Sequence, residues 1–230
     1  MSLDAGRTSS AAAPTFEGPV SYGERAIYEP WKHWSPSPIN HHARECCEIA
    51  REWIIDTDFS ALNGANILSG PRWLRQRFEW GPGTYPIHWC ELIKKSKLDC
   101  GVLAALAQEV FISRGVRCYR AQVVQEFSES ASSQWRTAWE DEDAITDWIC
   151  DPVIYHEGCA VVVRESEIKL WDSSAGWWID PKTTNGYGSI RALRVAAPEN
   201  MSLRWDVHEI PSGVWTELDD KPAPSLSHAR

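Results

Sequence analysis

Apolar residues are spaced differently in the two halves of the chain, and the change falls near Gly115. Before that point apolar positions recur every three or four residues, which predicts helices over residues 41–56, 71–80 and 100–114. After it, short runs rich in β-branched and aromatic residues predict strands over residues 116–127, 159–164, 167–172, 190–195 and 205–210. Helices followed by strands favour an α+β fold in which the helices pack on an antiparallel sheet.

The segment 100–114 is predicted to be the central helix of this fold. Asp99 is a suitable N-cap, because its carboxylate can accept backbone N–H groups of the first turn, and Gly115 is a suitable C-cap. Apolar side chains occur on several sides of the helix: Val102, Leu103, Leu106, Val110 and Phe111. A helix that is apolar almost all round is expected to be buried.

Three segments stand apart from these elements. Residues 128–151 are polar and then acidic, and we interpret them as an insertion at the sheet edge whose acidic side chains form a solvated face. Residues 1–20 and 221–230 are rich in small and polar residues and are predicted to be tails. Residues 21–220 then form a single domain.

The overall charge excludes some classes of partner. The chain has 230 residues and a formal net charge of −9, which argues against nucleic acid and anionic membranes, because both need a basic surface. No apolar run is long enough for a membrane span, and the N-terminus does not resemble a signal peptide. We therefore expect a cytoplasmic protein. Its seven cysteines, odd in number and irregularly spaced, should be reduced.

No metal or cofactor is expected. His41, His42, Cys46 and Cys47 form one metal-like cluster, since residues four or five apart can share a helix face, but the two cysteines also fit the apolar stripe of that helix. The chain has neither a phosphate-binding glycine loop nor a dinucleotide fingerprint.

Cys100 is the candidate nucleophile. A cysteine attacks as its thiolate, and the first turn of a helix favours that anion through free backbone N–H groups and the helix dipole. The N–H groups of Cys100 and Gly101 could also bind an oxyanion. A simple packing role is the alternative, because free cysteines are often buried.

His156 and Asp172 are the candidate base and its acceptor. His156 comes just before the predicted strand 159–164, and Asp172 ends the next strand, so a hairpin could bring them together. A two-residue turn at Glu165 and Ser166 would instead place Asp172 opposite Cys159 and leave His156 on the other face. We expect a loop centred on Arg164, or a bulge at Gly158, to restore the pair.

In order and type of element, these residues resemble the transglutaminase-like and papain-like cysteine enzyme superfamily. The resemblance covers residues 97–180. It rests on Leu98-Asp99-Cys100-Gly101-Val102-Leu103-Ala104-Ala105-Leu106, Arg114-Gly115-Val116, Tyr155-His156-Glu157-Gly158, and Leu170-Trp171-Asp172-Ser173-Ser174-Ala175-Gly176. It implies a transglutaminase-like core and a Cys100, His156 and Asp172 triad.

Gly101 stands where transglutaminases often have tryptophan, and the sequence Glu157-Gly158 follows the histidine, so protein transglutamination is not predicted. The Arg-Gly-Gly-Tyr-Cys signature of arylamine acetyltransferases is absent before Cys100, so a coenzyme A donor is not predicted either.

The resemblance implies a thiol acyltransferase or amide synthase that works through a cysteinyl thioester. Its partners would be a small-molecule or carrier-bound acyl donor and an amine acceptor. The alternatives are a peptidase or amidase of the same fold, in which water takes the thioester, and an inactive binding protein.

The resemblance also points to further candidate residues around the triad. In the superfamily a side chain upstream of the cysteine supplies the second oxyanion donor, and Trp89 through its indole N–H, or His88, is the nearest candidate here. Trp171, Trp177 and Trp178 flank Asp172 and could shield the His156 and Asp172 pair or line an acyl site. Core packing explains these tryptophans equally well.

Overall fold

The structure is a computed structural model that describes residues 36, 38–40, 45–62, 71, 73–82, 87–179, 189–198, 201–205, 208–211 and 216–217. Both predicted tails lie outside the described residues, as do His41 and His42. Within those ranges no helix is both long and apolar enough to span a membrane.

Five helices occur in the described ranges. They are α1 (Glu45–Leu62), α2 (Trp73–Arg77), α3 (Trp89–Leu92), α4 (Cys100–Ser113) and α5 (Glu129–Glu140). The helix predicted over residues 41–56 continues to Leu62, while residues 41–44 lie outside the described ranges. The helix predicted over 71–80 ends at Arg77 and is followed by a strand at Glu79–Trp80. Helix α5 was not predicted.

Eleven strands occur in the same ranges. They are β1 (Glu79–Trp80), β2 (Lys97–Leu98), β3 (Cys118–Glu126), β4 (Ile149–Cys150), β5 (Val153–Arg164), β6 (Glu167–Asp172), β7 (Trp177–Ile179), β8 (Ser189–Ala196), β9 (Ser202–Trp205), β10 (His208–Pro211) and β11 (Thr216–Glu217). The single strand predicted over residues 205–210 is thus two antiparallel strands, β9 and β10.

The main sheet has nine strands, in the order β10-β9-β6-β5-β3-β8-β11, with β4 paired to β5 and β7 paired to β6. All its pairs are antiparallel except β6 with β9. Strands β1 and β2 form a separate parallel pair. The predicted α+β class, helices packed on a mostly antiparallel sheet, is confirmed at this level.

Helix α4 begins at the predicted residue, Cys100, and ends at Ser113, one residue before the predicted end. The Asp99 Oδ1 atom accepts the Val102 N–H at 2.7 Å, and such an N-cap contributes about 1 kcal/mol. After Ser113 and Arg114, Gly115 takes a positive φ of 72°, which glycine adopts without strain. Every residue from Gly101 to Ala107 is buried, so α4 is the expected central helix.

The helix rests on strands β3, β5 and β6. Cys118, Cys159, Val161 and Trp171 belong to the same buried cluster as the apolar side of α4. On the opposite sheet face a second cluster contains strand residues only, among them Ala160 and Leu170. Strands β3 and β5 are therefore covered on both faces, which explains their almost continuous apolar sequences.

Helix α5 lies where the sequence was interpreted as a polar insertion. Ser128 caps it by accepting the Ala131 N–H, and a tryptophan stripe on one side turns inward. Trp135 and Trp139 each lie 5.8 Å from Trp80, and Trp139 lies 4.7 Å from Trp148 (ring centroids). Two tryptophans four residues apart after a serine cap were the signal for this helix, and the surrounding acidic residues obscured it.

Candidate active site

The structure brings Cys100, His156 and Asp172 together from three elements. Cys100 is the first residue of α4, His156 lies inside β5, and Asp172 is the last residue of β6. Strand β5 begins at Val153, earlier than predicted, so His156 is part of the ladder with β3 and pairs with Val123. Its backbone position is therefore fixed by the centre of the sheet.

His156 and Asp172 form a buried pair. The His156 Nε2 atom lies 3.0 Å from Asp172 Oδ1, and the two side chains are 6% and 3% exposed. The contact has ion-pair distance, although the Nε2–H direction departs from hydrogen-bond geometry and gives this atom no hydrogen-bond partner among the described residues. Since Nε2 faces the carboxylate, Nδ1 is the ring nitrogen that remains for Cys100.

The same carboxylate oxygen also holds a turn. Asp172 Oδ1 accepts the backbone N–H groups of Ser174 at 2.8 Å and of Ala175 at 3.1 Å. One carboxylate oxygen thus contacts both the imidazole and the turn. This turn fixes the direction in which the carboxylate points.

The register between β5 and β6 places the pair on one face. Glu165 and Ser166 form the two-residue turn, but Val162 pairs with Ile168 and Arg164 with Glu167, which leaves Val163 as an extra residue. Cys159 then pairs with Trp171, so Gly158 comes opposite Asp172. A bulge therefore brings His156 and Asp172 onto one face of the sheet. It lies at Val163, whereas the expected positions were a bulge at Gly158 or a loop centred on Arg164.

Gly158 allows the two strands to approach closely at this point. A Cβ atom at residue 158 would lie 2.6 Å from the backbone oxygen of Trp171. We expect Gly158→Ala to lower the free energy of unfolding by about 1–3 kcal/mol, because the strands must move apart. Urea unfolding measures this effect. The control is Gly81→Ala, whose Cβ would meet only the flexible Lys97 side chain at 3.1 Å. Equal effects of the two substitutions would contradict the close approach.

The Cys100 and His156 side chains are close enough to shift each other's pKa. Burial raises the pKa of the half-buried Cys100 thiol above 9.0, and the interaction with His156 lowers it only in part. Burial lowers the pKa of His156, but the Asp172 charge and the contacts with Asp172 and Cys100 outweigh it and raise this pKa well above 6.5. Burial of the thiol therefore opposes the free thiolate expected from the helix terminus alone.

Asp99 caps the first turn of α4 by accepting the Val102 N–H at 2.7 Å. The N–H groups of Cys100 and Gly101 lie in the same turn and stay the predicted oxyanion donors.

Trp89 and Trp171 are core residues. Trp89 is 3% exposed in the cluster around α4, and the Arg51 guanidinium carbon lies 6.0 Å from its ring centroid. Trp171 is fully buried, and its ring packs edge-on to Phe111 and Trp178 at 6.3 and 5.0 Å. Both tryptophans therefore belong to the buried cluster around α4.

A buried polar network next to the triad was missed by the sequence analysis. Arg120 Nη2 donates to the Gly101 carbonyl oxygen at 2.7 Å and to Glu157 Oε2. Glu157 Oε1 accepts the Tyr155 hydroxyl at 2.8 Å, and that hydroxyl accepts Gln122 Nε2 at 2.7 Å. Charged residues within apolar strand runs were the available signal. The network ties strands β3 and β5 to the first turn of α4.

The ion pair in this network predicts a large stability effect. Arg120→Met would leave the Glu157 carboxylate buried without its ion-pair partner. We therefore expect the free energy of unfolding to fall by about 3–5 kcal/mol. Urea unfolding measures it, and adding Glu157→Gln should restore part of the loss. Arg136→Met, which removes the more exposed pair with Asp151, should cost under about 1 kcal/mol. An equally small effect of Arg120→Met would argue against a buried charge pair.

An aromatic pocket of about 430 Å³ opens beside His156 and Asp172. We define it by its walls, Trp80, Phe127, Trp135 and Trp177. Trp177, one of the tryptophans expected near Asp172, is 45% exposed and lies at this pocket, whereas Cys100 is not among the lining residues. A larger cavity of about 750 Å³ adjoins Asp99 and includes none of the triad residues.

Among the described residues no group of three histidine, cysteine, aspartate or glutamate side chains is arranged to hold a metal ion. Comparisons of the chain with protein-family models, with curated proteins and with solved structures gave no match. The function of this chain is therefore inferred from the geometry of the site.

Proposed function

We propose that this chain is a cysteine-dependent acyltransferase of transglutaminase-like architecture that forms amide bonds through a Cys100 thioester. One observation carries the proposal: a cysteine at the start of a buried helix interacts with a histidine whose Nε2 atom lies 3.0 Å from a buried carboxylate. A nucleophile, a base and a group that orients the base are the minimum set for covalent acyl transfer.

The first step transfers the acyl group to sulfur. As Cys100 Sγ attacks the donor carbonyl, His156 Nδ1 takes the thiol proton, and a carbon–sulfur bond forms. His156 then gives that proton to the leaving group as the bond between carbonyl and leaving group breaks. Asp172 holds the ring orientation and stabilises the imidazolium in between.

The second step reverses these roles. An amine attacks the thioester carbonyl, its proton passes to His156, and the carbon–sulfur bond breaks to release the amide. The sulfur leaves as thiolate and recovers the proton from the imidazolium. The proposed partners are a small-molecule or carrier-bound acyl donor and an amine acceptor. No atom in either step comes from a metal or an organic cofactor.

The electrostatics of the site support base-assisted attack. Burial raises the pKa of the Cys100 thiol, so little thiolate forms unless the proton can pass to His156. Asp172 raises the pKa of His156, which favours that transfer. We also propose a cytoplasmic location, because thiols stay reduced there and this chemistry needs a reduced Cys100.

The test uses the phenylacetyl thioester of N-acetylcysteamine as donor and benzylamine as acceptor. Mass spectrometry of the protein should find the acyl group on Cys100, and chromatography should find N-benzylphenylacetamide. Release of phenylacetic acid alone would overturn amide synthesis and favour a hydrolase. If Cys100 is neither acylated nor labelled by iodoacetamide ahead of Cys90, the thioester mechanism fails and a binding protein is favoured.

A further inference from the structure

The aromatic pocket is lined by a buried side-chain amide, that of Gln125. Gln125 lines the pocket and is 0% exposed, and both its Oε1 and its Nε2 atoms have no hydrogen-bond partner among the described residues. Buried polar atoms in folded proteins are nearly always paired, because an unpaired one costs free energy. An unpaired donor and acceptor on one side chain therefore requires an explanation.

A second buried glutamine on the same strand, Gln122, is hydrogen-bonded and provides a comparison for Gln125. Gln122 is 1% exposed, and its Nε2 atom donates to the Tyr155 hydroxyl at 2.7 Å. Both glutamines lie on β3, three residues apart and equally buried. Of the two, Gln125 alone lacks a hydrogen-bond partner within the described ranges, so burial on this strand does not by itself leave a polar side chain unsatisfied.

The backbone is irregular at Gln125. Val124 pairs with Ala192 of β8, whereas Gln125 pairs with Ile190, so the ladder shifts by one residue between these positions. Such bulges change the direction of a side chain and occur often beside active sites. Gln125 pairs with Ile154 of β5, which also lines the pocket.

Besides His156 Nε2, two more polar atoms of residues that line the pocket have no hydrogen-bond partner in the described part of the chain. They are the indole Nε1 of Trp80 and the hydroxyl oxygen of Ser174. His156 and Asp172 line the same pocket, so a molecule bound there would lie next to the proposed base. Aromatic walls with a few unpaired polar groups are the usual composition of a small-molecule site.

We propose that the aromatic pocket binds a substrate with an aromatic or aliphatic body and a primary carboxamide or lactam edge, which pairs with Gln125. A glutamine amide offers one donor and one acceptor side by side. A primary carboxamide or lactam presents the complementary pair on one edge, whereas a trans peptide amide presents its N–H and C=O on opposite sides. That the bound molecule is a substrate rests on the proposed function; the pairing with Gln125 does not.

The test compares two probes with equal numbers of heavy atoms, phenylacetamide and phenylacetone. The ketone keeps the ring and the acceptor but lacks the donor. Full-length protein carrying Cys100→Ala prevents reaction, and calorimetry or ligand-observed NMR gives both dissociation constants. We expect phenylacetamide to bind about 10-fold more tightly or better. Gln125→Leu, added to the same protein, should reduce this preference to within about 2-fold.

Stability provides the second measurement. Gln125→Leu should leave the melting temperature unchanged or raise it, because it removes unpaired polar atoms, whereas Gln122→Leu should lower it by breaking the bond to Tyr155. If Gln125→Leu fails to fold, Gln125→Met replaces it with a similar volume.

Equal binding of the two probes by the Cys100→Ala protein would overturn the inference, and so would a preference that survives loss of the Gln125 amide. Because the binding test does not use the thiol, its outcome is separate from that of the proposed function. Carboxamide selectivity without Cys100 acylation supports the pocket and rejects the enzyme. Cys100 acylation without carboxamide selectivity supports the enzyme and rejects the proposed role of the pocket.

Discussion

Cys100→Ala is expected to lower acyl transfer by about 10⁴-fold or more, since removing the nucleophile of a covalent mechanism removes nearly all of the catalysis. The substitution should scarcely change the free energy of unfolding, because Cys100 is half-buried at the first position of α4 and alanine suits a helix. Thioester consumption and acyl-protein mass are measured with phenylacetyl-N-acetylcysteamine.

Cys90→Ala is the matched control. Cys90 is also half-buried and not in a disulfide, and it lies on α3 outside the triad. It should retain its activity. Cys100→Ala protein that still forms amide at a comparable rate, or Cys90→Ala protein that loses activity instead, would contradict the assignment of the nucleophile.

Asp172→Asn is expected to lower the rate by about 10³–10⁴-fold and to move the acid limb of the pH profile to lower pH. The pKa of His156 is raised well above 6.5, in large part by the Asp172 charge. The pair of Cys100 and His156 must lose one proton before attack, so activity of the native protein rises with pH, with a midpoint above 6.5. Without the carboxylate charge the imidazolium loses its proton more easily, and the midpoint falls.

The rate of single-turnover acylation, followed from pH 5 to 10, measures both effects. Asp147→Asn, at an exposed position outside the triad, should leave the rate and the midpoint unchanged. A midpoint that stays fixed in Asp172→Asn protein would mean that the Asp172 charge does not act on His156. A purely structural role of Asp172 would lower the rate without moving the midpoint.

The α+β class and the central helix could be predicted from sequence because both depend on local patterns. Asp99 and Gly115 marked the two ends of α4, and the all-round apolar sequence indicated its burial. The three residues Cys100, His156 and Asp172 were also found from their order along the chain. Their separation in space was not predictable, since it depends on one extra residue, Val163, in a β-ladder.

The rest of the site depends on tertiary contacts that leave little trace in sequence. Gln122 and Gln125 cannot be told apart from the sequence, and only the position of the Tyr155 hydroxyl separates them. Burial raises the pKa of the Cys100 thiol, and the sequence does not show how deeply the first residue of a helix is buried.

Strand β5 carries His156 and also anchors the helix that carries Cys100. The Cys159 thiol, three residues after His156, donates to the Ala104 carbonyl oxygen of α4 at 3.2 Å. Sulfur and imidazole therefore belong to one stiff unit, and the connections that join α4 to β5 along the chain have no part in setting their separation. Insertions or deletions in the segment between β3 and β4 should consequently leave the reacting atoms in place.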